Sequence, residues 1–469
     1  MAFIKRDSGN EYVNESWPRA AGVFVLVIVA LLAGGCGRAA DVTGTEESQR
    51  FEIATVAFGG RVVIPTGRYR LEETLEVRLA DVGATSIMAD GPVTIEMAGA
   101  GPAIRIVGSH EGSANPGSFK EDTWLQRMPL IDGIEIIGGH PEADGIELEK
   151  TMQATITRVV IRKAHHGIRL VNRNRNVILT GCHLYENSGA GVYLDDVDLH
   201  QISIGDSHIS YNQGGGVVVE NGNVRNLHIG NCDLESNMPD RSDAEAVRAA
   251  NVLIDVSEGA GRQSVAEVAI TGCTLQHNNE AAEGANVRLL GREDYPISVV
   301  TIGNNVFSDV KLGLHFERVR EFTVTGNVFF TSQPGDLFMV RCERGAFSGN
   351  QFDPRDLEGK EGSVGGAAFV FCHDLVLNGM QFSEVRNPNG TLIFDQCERV
   401  IVNACGFRDC LNGMVFVGCK DSVVSNCLVS GTGEGGLDLD VYEGRNMRVS
   451  GNLFEGVTRL KGVDQKDIR

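Results

Sequence analysis

Basic residues are scarce in this sequence. The chain has 469 residues, with 42 Lys and Arg against 62 Asp and Glu, and its formal net charge is −20. A general nucleic-acid binder normally carries a basic face, so this composition argues against that class. Any anionic partner must therefore be met by a local basic patch.

A helical period of apolar residues is also missing, and a different repeat takes its place. An eight-residue frame recurs as VILTGCHL (177–184), ISIGDSHI (202–209) and LHIGNCDL (227–234), and further copies follow to the C-terminal end. Most steps are about 22–25 residues, and the longer ones indicate loop insertions on a solenoid. Within each frame, apolar residues alternate around a bend, which predicts short strands.

A second strand pattern follows in most repeats, as in GIRL (167–170), GVYL (191–194) and GVVV (216–219). Two or three short strands in each repeat predict an all-β fold, a parallel β-helix in which each strand pairs with its copy one coil away. Asn187, Asn212, Asn237 and Asn278 share one position of the repeat. They are expected to form a hydrogen-bonded column at a left-handed turn.

Eleven cysteines occur, but none forms a Cys-x-x-Cys pair. Most occupy repeat positions that carry small or apolar residues in other repeats, as Cys182 and Cys232 do on either side of Ser207. This pattern predicts buried thiols. One or two disulfides remain the alternative, and a cysteine metal site is disfavoured.

The segment GGRVVIPTGRYRLEETLEV (59–77) resembles the start of right-handed β-helix proteins of the pectate-lyase-like superfamily. The resemblance implies a right-handed solenoid, with an N-terminal cap and first coils over residues 52–130 and repeats over 131–460. It does not imply one activity, since this fold hosts lyases, hydrolases, epimerases, esterases and binding proteins. The paired Asp, Gly-His-Gly and Arg-x-Lys motifs of polygalacturonases and the Asp-Pro-His-Asp motif of alginate epimerases are absent, so no known active site transfers.

The N-terminus has the pattern of an export signal. Lys5 and Arg6 precede a short apolar run that ends in small residues and Cys36. Residues 1–36 are expected to be a lipoprotein-type signal peptide with lipidation at Cys36, and 37–51 a polar tether. Plain secretion or an N-terminal anchor are the alternatives. The protein is thus expected at a bacterial cell envelope, with the lipid as its membrane contact.

One stretch departs from the acidic composition. Between Thr151 and Tyr185 there is no Asp or Glu, while the basic residues are Arg158, Arg162, Lys163, Arg169, Arg173 and Arg175, together with His165 and His166. Arginine forks bind carboxylates, so this stretch predicts a groove for an anionic polysaccharide such as a uronate polymer. The predicted substrate-binding residues are Arg162, Lys163, Arg169 and Tyr193. The alternative is a solvated face balanced by acidic groups nearby.

Three consecutive repeats place His183, His208 and Asp233 at one predicted outward position. A carboxylate beside an imidazole suits acid–base catalysis, and Tyr211 lies close by in the repeat. These four residues are the predicted catalytic group of a polysaccharide lyase. The alternatives are an inert polar ladder on a non-catalytic carbohydrate-binding protein or on a structural surface solenoid.

A glycoside hydrolase is the third hypothesis, because Asp195, Asp196 and Asp198 form the one dense acidic loop. Asp196 and Asp198 are expected to face the same side, at a separation that suits an inverting enzyme. The same three carboxylates are also the only expected cofactor site, for Ca²⁺.

Overall fold

The computed structural model describes residues 60–112, 115–239, 249–277, 281, 283–353, 364–433, 435–461 and 463. The predicted signal peptide, the tether and Cys36 lie outside these residues. Among the helices that are described, none has the length and apolar character needed to cross a membrane.

The described chain is built almost entirely of β-strands. The first strands are β1 (Gly60–Leu71), β2 (Leu75–Arg78), β3 (Thr85–Met97), β4 (Gly101–Val107), β5 (Leu130–Gly138), β6 (Ala143–Met152), β7 (Thr155–Thr157), β8 (Val160–Arg162), β9 (Ile168–Thr180), β10 (His183–Tyr185), β11 (Ala190–Gly205), β12 (His208–Ser210), β13 (Gly215–Glu220), β14 (Asn223–Gly230), β15 (Asp233–Glu235), β16 (Ala250–Asp255), β17 (Ser264–Thr271), β18 (Thr274–Gln276), β19 (Ala285–Leu290) and β20 (Ile297–Gly303). The following strands are β21 (Val306–Ser308), β22 (Leu312–Glu317), β23 (Val319–Thr325), β24 (Val328–Phe330), β25 (Gly335–Val340), β26 (Glu343–Ser348), β27 (Gln351–Asp353), β28 (Ala367–Val370), β29 (His373–Asn378), β30 (Gln381–Ser383), β31 (Leu392–Asp395), β32 (Glu398–Asn403), β33 (Gly406–Arg408), β34 (Met414–Val417), β35 (Val423–Ser425), β36 (Leu428–Ser430), β37 (Leu437–Tyr442), β38 (Arg448–Ser450), β39 (Leu453–Phe454) and β40 (Val457–Leu460). The helical segments are short, α1 (Leu79–Val82), α2 (Glu121–Leu125) and a 3-10 turn (Pro116–Ser118).

Each strand pairs in parallel with the strand one coil further along, which generates three faces. The first face contains β14, β17 and β20, the second face β10, β12 and β15, and the third face β13, β16 and β19. The long strands β9 and β11 run round the corner from the third face to the first. The all-β parallel β-helix expected from the repeat is therefore confirmed.

The predicted register of the repeat is confirmed as well. His183 pairs with His208, and His208 pairs with Asp233, while the amide of Cys182 donates to Ser207 Oγ at 3.1 Å. Inward positions form one continuous core of Ile, Val, Leu and Phe side chains. In the C-terminal half, stacked phenylalanine rings 4.5 to 4.9 Å apart extend along the axis, namely Phe307, Phe329, Phe352, Phe382 and Phe407.

The described cysteines are buried free thiols, as their repeat positions predict; they are Cys182, Cys232, Cys273, Cys342, Cys372, Cys397, Cys405, Cys410, Cys419 and Cys427. Their sulfur atoms contact backbone carbonyl oxygens of the same or the preceding coil, as Cys182 Sγ does with Thr180 O at 3.4 Å. In these positions cysteine acts as a small apolar side chain of the core.

A buried column of asparagine amides stabilises the corner between the second and third faces. Asn187 Nδ2 donates to Asn212 Oδ1 at 2.8 Å, and Asn212 Nδ2 donates to Asn237 Oδ1 at 2.7 Å. The column continues as Asn237 Nδ2 donates to Asn251 Oδ1 at 2.9 Å and Asn251 Nδ2 donates to Asn286 Oδ1 at 2.7 Å. Asn278, which the sequence places in the column, lies outside the described residues.

One detail of the asparagine prediction is wrong. The left-handed residue is not the asparagine but the residue before it, since Glu186, Tyr211 and Ser236 have φ of 56°, 57° and 54°. The amide side chain must turn inward to reach the next coil, and the preceding residue makes the turn that allows this.

We expect Asn212→Ala to lower the free energy of unfolding by about 3 kcal/mol, because several buried polar groups lose their partners. The amide of Asn212 accepts from Asn187 and donates to Leu184 O and Asn237. Urea unfolding followed by circular dichroism measures the change. Asn378→Ala is the matched control, since Asn378 is exposed and its side chain accepts a hydrogen bond from Asn403. An equal loss in both variants would contradict the role of the column.

Candidate functional site

The predicted catalytic residues do lie together on the second face. His183 and His208 stack with their ring centroids 5.1 Å apart, and Nδ1 of His208 is 3.5 Å from Asp233 Oδ2. The His208 side chain is 59% exposed, so this second-face column is an open surface. Burial and the neighbouring His208 lower the pKa of His183. Tyr211 lies at the following corner, where its hydroxyl donates to Glu235 Oε1 at 3.1 Å.

The basic stretch is balanced by carboxylates of neighbouring coils. The pairs are Arg158–Asp132 at 2.5 Å, Arg162–Glu135 at 3.0 Å, Arg169–Asp195 at 2.5 Å, and Arg173–Asp198. The Arg175 guanidinium lies over the Phe119 ring at 4.6 Å. The basic residues thus form a face whose charge is balanced by nearby acidic groups, which was the alternative to an anion-binding groove. Lys163 is exposed at the corner and forms no ion pair within the part of the chain that the structure describes.

A more concentrated group of polar side chains lies at the corner between the second and third faces. We call Asp144, His165, His166 and Tyr193 the corner cluster. Asp144 is near the start of β6, the two histidines immediately precede β9, and Tyr193 is in β11. The coil-to-coil pairing of these three strands brings the four side chains together.

Glycine makes this corner tight enough for the cluster to form. A Cβ atom on Gly145 would lie 2.4 Å from the carbonyl oxygen of Gly167, and one on Gly167 would lie 2.4 Å from that of Gly191. Only glycine permits such a close approach of successive backbones. The polar residue before each glycine is therefore held at the same corner in consecutive coils.

Asp144 and His165 form a carboxylate–imidazole dyad. The Asp144 side chain is 7% exposed, and its Oδ1 accepts the amide proton of His166 at 2.8 Å. The same Oδ1 is 3.4 Å from Nδ1 of His165, whose side chain is 47% exposed. Burial raises the pKa of Asp144. The carboxylate thus orients an accessible imidazole, which directs its Nε2 away from Asp144, as acid–base chemistry requires.

His166 has a different role because its ring is neutral. Burial, followed by the nearby charges of His165 and Arg169, lowers the pKa of His166 to about 3. Its Nδ1 accepts the amide proton of Ala190 at 3.0 Å, so the ring proton lies on Nε2. The ring stacks on Tyr193 at 4.5 Å. His166 is therefore a fixed neutral hydrogen-bond donor.

Tyr193 completes the cluster from the next coil. Its hydroxyl donates to Glu220 Oε2 at 2.6 Å. Burial and this hydrogen bond to a carboxylate raise the pKa of Tyr193, so the phenol stays protonated. Arg169 pairs with Tyr193 in the backbone register but is bound to Glu147 and Asp195.

Among the described residues, the corner cluster also contains the group of side chains that could together hold a metal ion. One ligand atom from each of Asp144, His165 and His166 lies within 4.8 Å of the others, and such a nitrogen and oxygen set suits a transition-metal ion. As the side chains stand, Nδ1 of His165 faces Asp144 at 3.4 Å, and Nδ1 of His166 accepts the amide proton of Ala190.

The acidic loop expected to hold Ca²⁺ does not gather its carboxylates around one point. Asp195 binds Arg169, and Asp196 accepts from Gln263. Asp198 binds Arg173 and also accepts from Asn223. Asp196 and Asp198 flank the buried Val197, but the loop is not extended as the hydrolase hypothesis assumed, because Asp196 has a φ of 43°.

The sequence interpretation missed Asp144 and treated the two histidines only as part of the basic stretch. A usable pattern was present. The segment GIEL at 145–148 precedes GIRL at 167–170 with the same spacing from the corner. Extending the repeat back by one coil aligns Asp144 with His166 and would have revealed the cluster.

The comparisons with known proteins agree with this architecture. Residues 126–275 and 287–456 match the family described as "Right handed beta helix region", and the chain belongs to this family. No curated protein matches the sequence.

Among solved structures, similar ones include mutants of the tailspike protein of E. coli bacteriophage HK620. A double mutant aligns with 13% identity and a TM-score of 0.57, over 83% of this chain and 74% of that chain. A mutant in complex with a pentasaccharide aligns with 12% identity and a TM-score of 0.55, over 83% of this chain and 74% of that chain. A mutant in complex with a hexasaccharide aligns with 14% identity and a TM-score of 0.51, over 83% of this chain and 73% of that chain. At these identities the similarity shows a shared fold.

We expect His166→Gln to weaken the pH dependence of stability. The folded-state pKa of His166, about 3, is below its usual 6.5, so the unfolded chain binds the extra proton between these values. Stability contributed at neutral pH is therefore lost as the pH falls through this window. Urea unfolding between about pH 7 and pH 4 should show a smaller loss in the variant.

The exposed His228 on the first face provides the control, as His228→Gln should leave this slope unchanged. Some pH dependence should remain in His166→Gln because burial also lowers the pKa of His110, to about 4. An unchanged slope in His166→Gln would contradict a buried neutral His166.

Proposed function

We propose that this protein acts on a uronate-containing polysaccharide by β-elimination at the corner cluster. The observation that carries the proposal is the buried Asp144 carboxylate beside the half-exposed His165 imidazole, at 3.4 Å. A dyad of this kind orients a base and keeps it accessible. The oligosaccharide complexes of the HK620 tailspike, a similar β-helix, support a saccharide as the partner class.

Lys163 and the residues of the corner cluster each have a separate role in the reaction. Lys163 neutralises the uronate carboxylate, and His165 Nε2 removes the proton α to it. The neutral His166 donates a hydrogen bond to the negative charge that develops. The electron pair of the broken C–H bond forms a C=C bond as the C–O bond to the leaving sugar breaks. The leaving oxygen takes its proton from solvent, because the Tyr193 hydroxyl donates to Glu220 and its raised pKa makes it a weak acid.

Burial favours elimination over hydrolysis at this corner. The side chains of Asp144 and Glu147 are each 7% exposed, so neither carboxylate is placed to attack a sugar ring. The more exposed carboxylates nearby, Asp195 and Glu220, are bound to Arg169 and Tyr193. The accessible reactive group is therefore an imidazole, which suits proton abstraction.

The second-face column and Arg162 have a supporting role in this proposal. Arg162 pairs with Tyr185 in the register of that face, and His183 is two residues before Tyr185. The stacked rings of His183 and His208 offer a flat surface for a neighbouring sugar. Asp233 orients His208 from the following coil.

We expect Asp144→Asn to lower kcat about 10²–10³-fold with little change in KM, because the base loses its orienting carboxylate. His208→Ala should raise KM and leave kcat nearly unchanged. The assay incubates the protein with a panel of uronate polysaccharides and follows the ultraviolet absorbance of unsaturated products. His228→Ala, on the first face, is the matched control and should behave as the native protein.

Each alternative has its own result in this assay. Full activity in Asp144→Asn would exclude the corner cluster. A fall in kcat for His208→Ala would instead assign catalysis to His183, His208, Asp233 and Tyr211. Binding of the polymer by the native protein without unsaturated products would support the non-catalytic carbohydrate-binding alternative.

The proposed location is the cell envelope, with a lipid on Cys36. It is supported by the basic, apolar and small-residue pattern of residues 1–36. Expression in a bacterium with labelled palmitate should give a labelled membrane-bound protein, and Cys36→Ser should remove the label. Label that persists in Cys36→Ser would contradict the lipoprotein assignment.

A further inference from the structure

A cavity of about 460 Å³ lies at a different corner, between the third and first faces. Two loops enclose it, one after β16 (residues 256–263) and one after β19 (residues 291–296). We call it the loop pocket. Its lining includes Asn223, Arg225, Arg262, Ser264, Tyr295 and Arg320.

The two loops are fastened to each other and to the solenoid. Arg292 Nη2 donates to the carbonyl oxygen of Gly261 at 2.6 Å, and its guanidinium lies over the Tyr295 ring at 4.9 Å. Gln263 Nε2 donates to the Asp196 carboxylate of an earlier coil. The walls of the pocket are thus held before any ligand arrives, which lowers the entropic cost of binding.

Three guanidinium groups converge on this pocket without carboxylate partners. Arg225 is fixed in place, since its Nη1 donates to Val224 O at 2.8 Å and to Ser264 O at 2.7 Å, and its Nη2 donates to Ser264 Oγ at 2.8 Å. Arg320 has a buried Nε that makes no hydrogen bond. Across the described ranges, neither these two nor Arg262 forms an ion pair.

This charge pattern differs from that of the basic stretch, where Arg158, Arg162 and Arg169 each contact a carboxylate. One carboxylate, the exposed Asp294, also lines the loop pocket, but it forms no ion pair with the three arginines. The pocket therefore keeps an excess of positive charge in a chain of net charge −20. Arg225 and Arg320 are partly buried and Arg262 is exposed, and an anion in the pocket would balance the charge of all three.

We propose that the loop pocket binds a sugar unit that carries an oxyanion, a carboxylate or a phosphate. Guanidinium forks match both groups. Asn223, Ser264 and Ser298 supply amide and hydroxyl groups for sugar hydroxyls, and Tyr295 supplies an aromatic wall. The volume is in the range of small-molecule sites. This binding site is separate from the corner cluster and does not depend on catalysis there.

The test measures the Kd of single sugars by saturation-transfer NMR on the full chain. The probes are glucuronate, glucose 6-phosphate and glucose. We expect glucuronate, glucose 6-phosphate or both to bind and glucose not to bind, and the ratio of the two anionic sugars identifies the preferred oxyanion. Arg320→Gln and Arg262→Gln should each weaken binding about tenfold, the loss expected for one charge-assisted contact.

Controls separate this pocket from general charge effects and from the proposed active site. Arg448→Gln changes an exposed arginine of β38 on the same face and should leave Kd unchanged. Asp144→Asn should also leave it unchanged, so that failure of the proposed lyase function and failure of this pocket are distinguishable. The proposal is overturned if glucose binds as well as the anionic sugars, if neither anionic sugar binds, or if the Arg262→Gln, Arg320→Gln double variant keeps the native Kd.

Discussion

Parallel pairing between successive coils is the constraint on which the rest of this structure depends. Because each strand pairs in register with the strand one coil away, residues some two dozen positions apart become neighbours at the spacing of adjacent strands. The pairing of His183 with His208 and of His208 with Asp233 is one outcome. The same register places Asp144 beside the histidines that precede β9. A shift of one residue would turn outward groups into the core.

Buried amide ladders hold this register in both halves of the described solenoid, and in the C-terminal half stacked rings accompany them, as Phe307 and Phe329 do beside the amides of Asn305 and Asn327. Amide ladders through Asn187 and Asn212 use both hydrogen-bonding ends of each side chain, so each amide specifies the position of the next. Toward the C-terminus, stacked rings such as Phe352 and Phe382 pack at 4.5 Å. Apolar stacks tolerate small shifts, whereas a displaced buried amide loses its partners. The amide column adjoins the corner cluster, where the position of side chains matters most.

The repeat in the sequence was sufficient to predict the coils, the strand register and the buried thiols, because inward positions are restricted by packing. It was insufficient for the outward chemistry. The basic stretch around Arg162 and Arg169 looked unbalanced because its partners, Glu135, Glu147 and Asp195, belong to other coils. Asp144 was missed because burial, rather than residue type, makes this carboxylate unusual, and sequence pattern does not report the burial of a corner.

Corners, rather than faces, are where this solenoid can perturb a functional group. On the second face, outward side chains such as His208 stand in solvent at 59% exposure, and solvent screens their interactions. At the corner, successive backbones approach closely at Gly145 and Gly167, and the Asp144 carboxylate is buried beside the partly buried His166 ring. Desolvation then shifts their pKa values in opposite senses, upward for the acid and downward for the imidazole. A substrate at this corner therefore meets the neutral donor His166 and the accessible base His165.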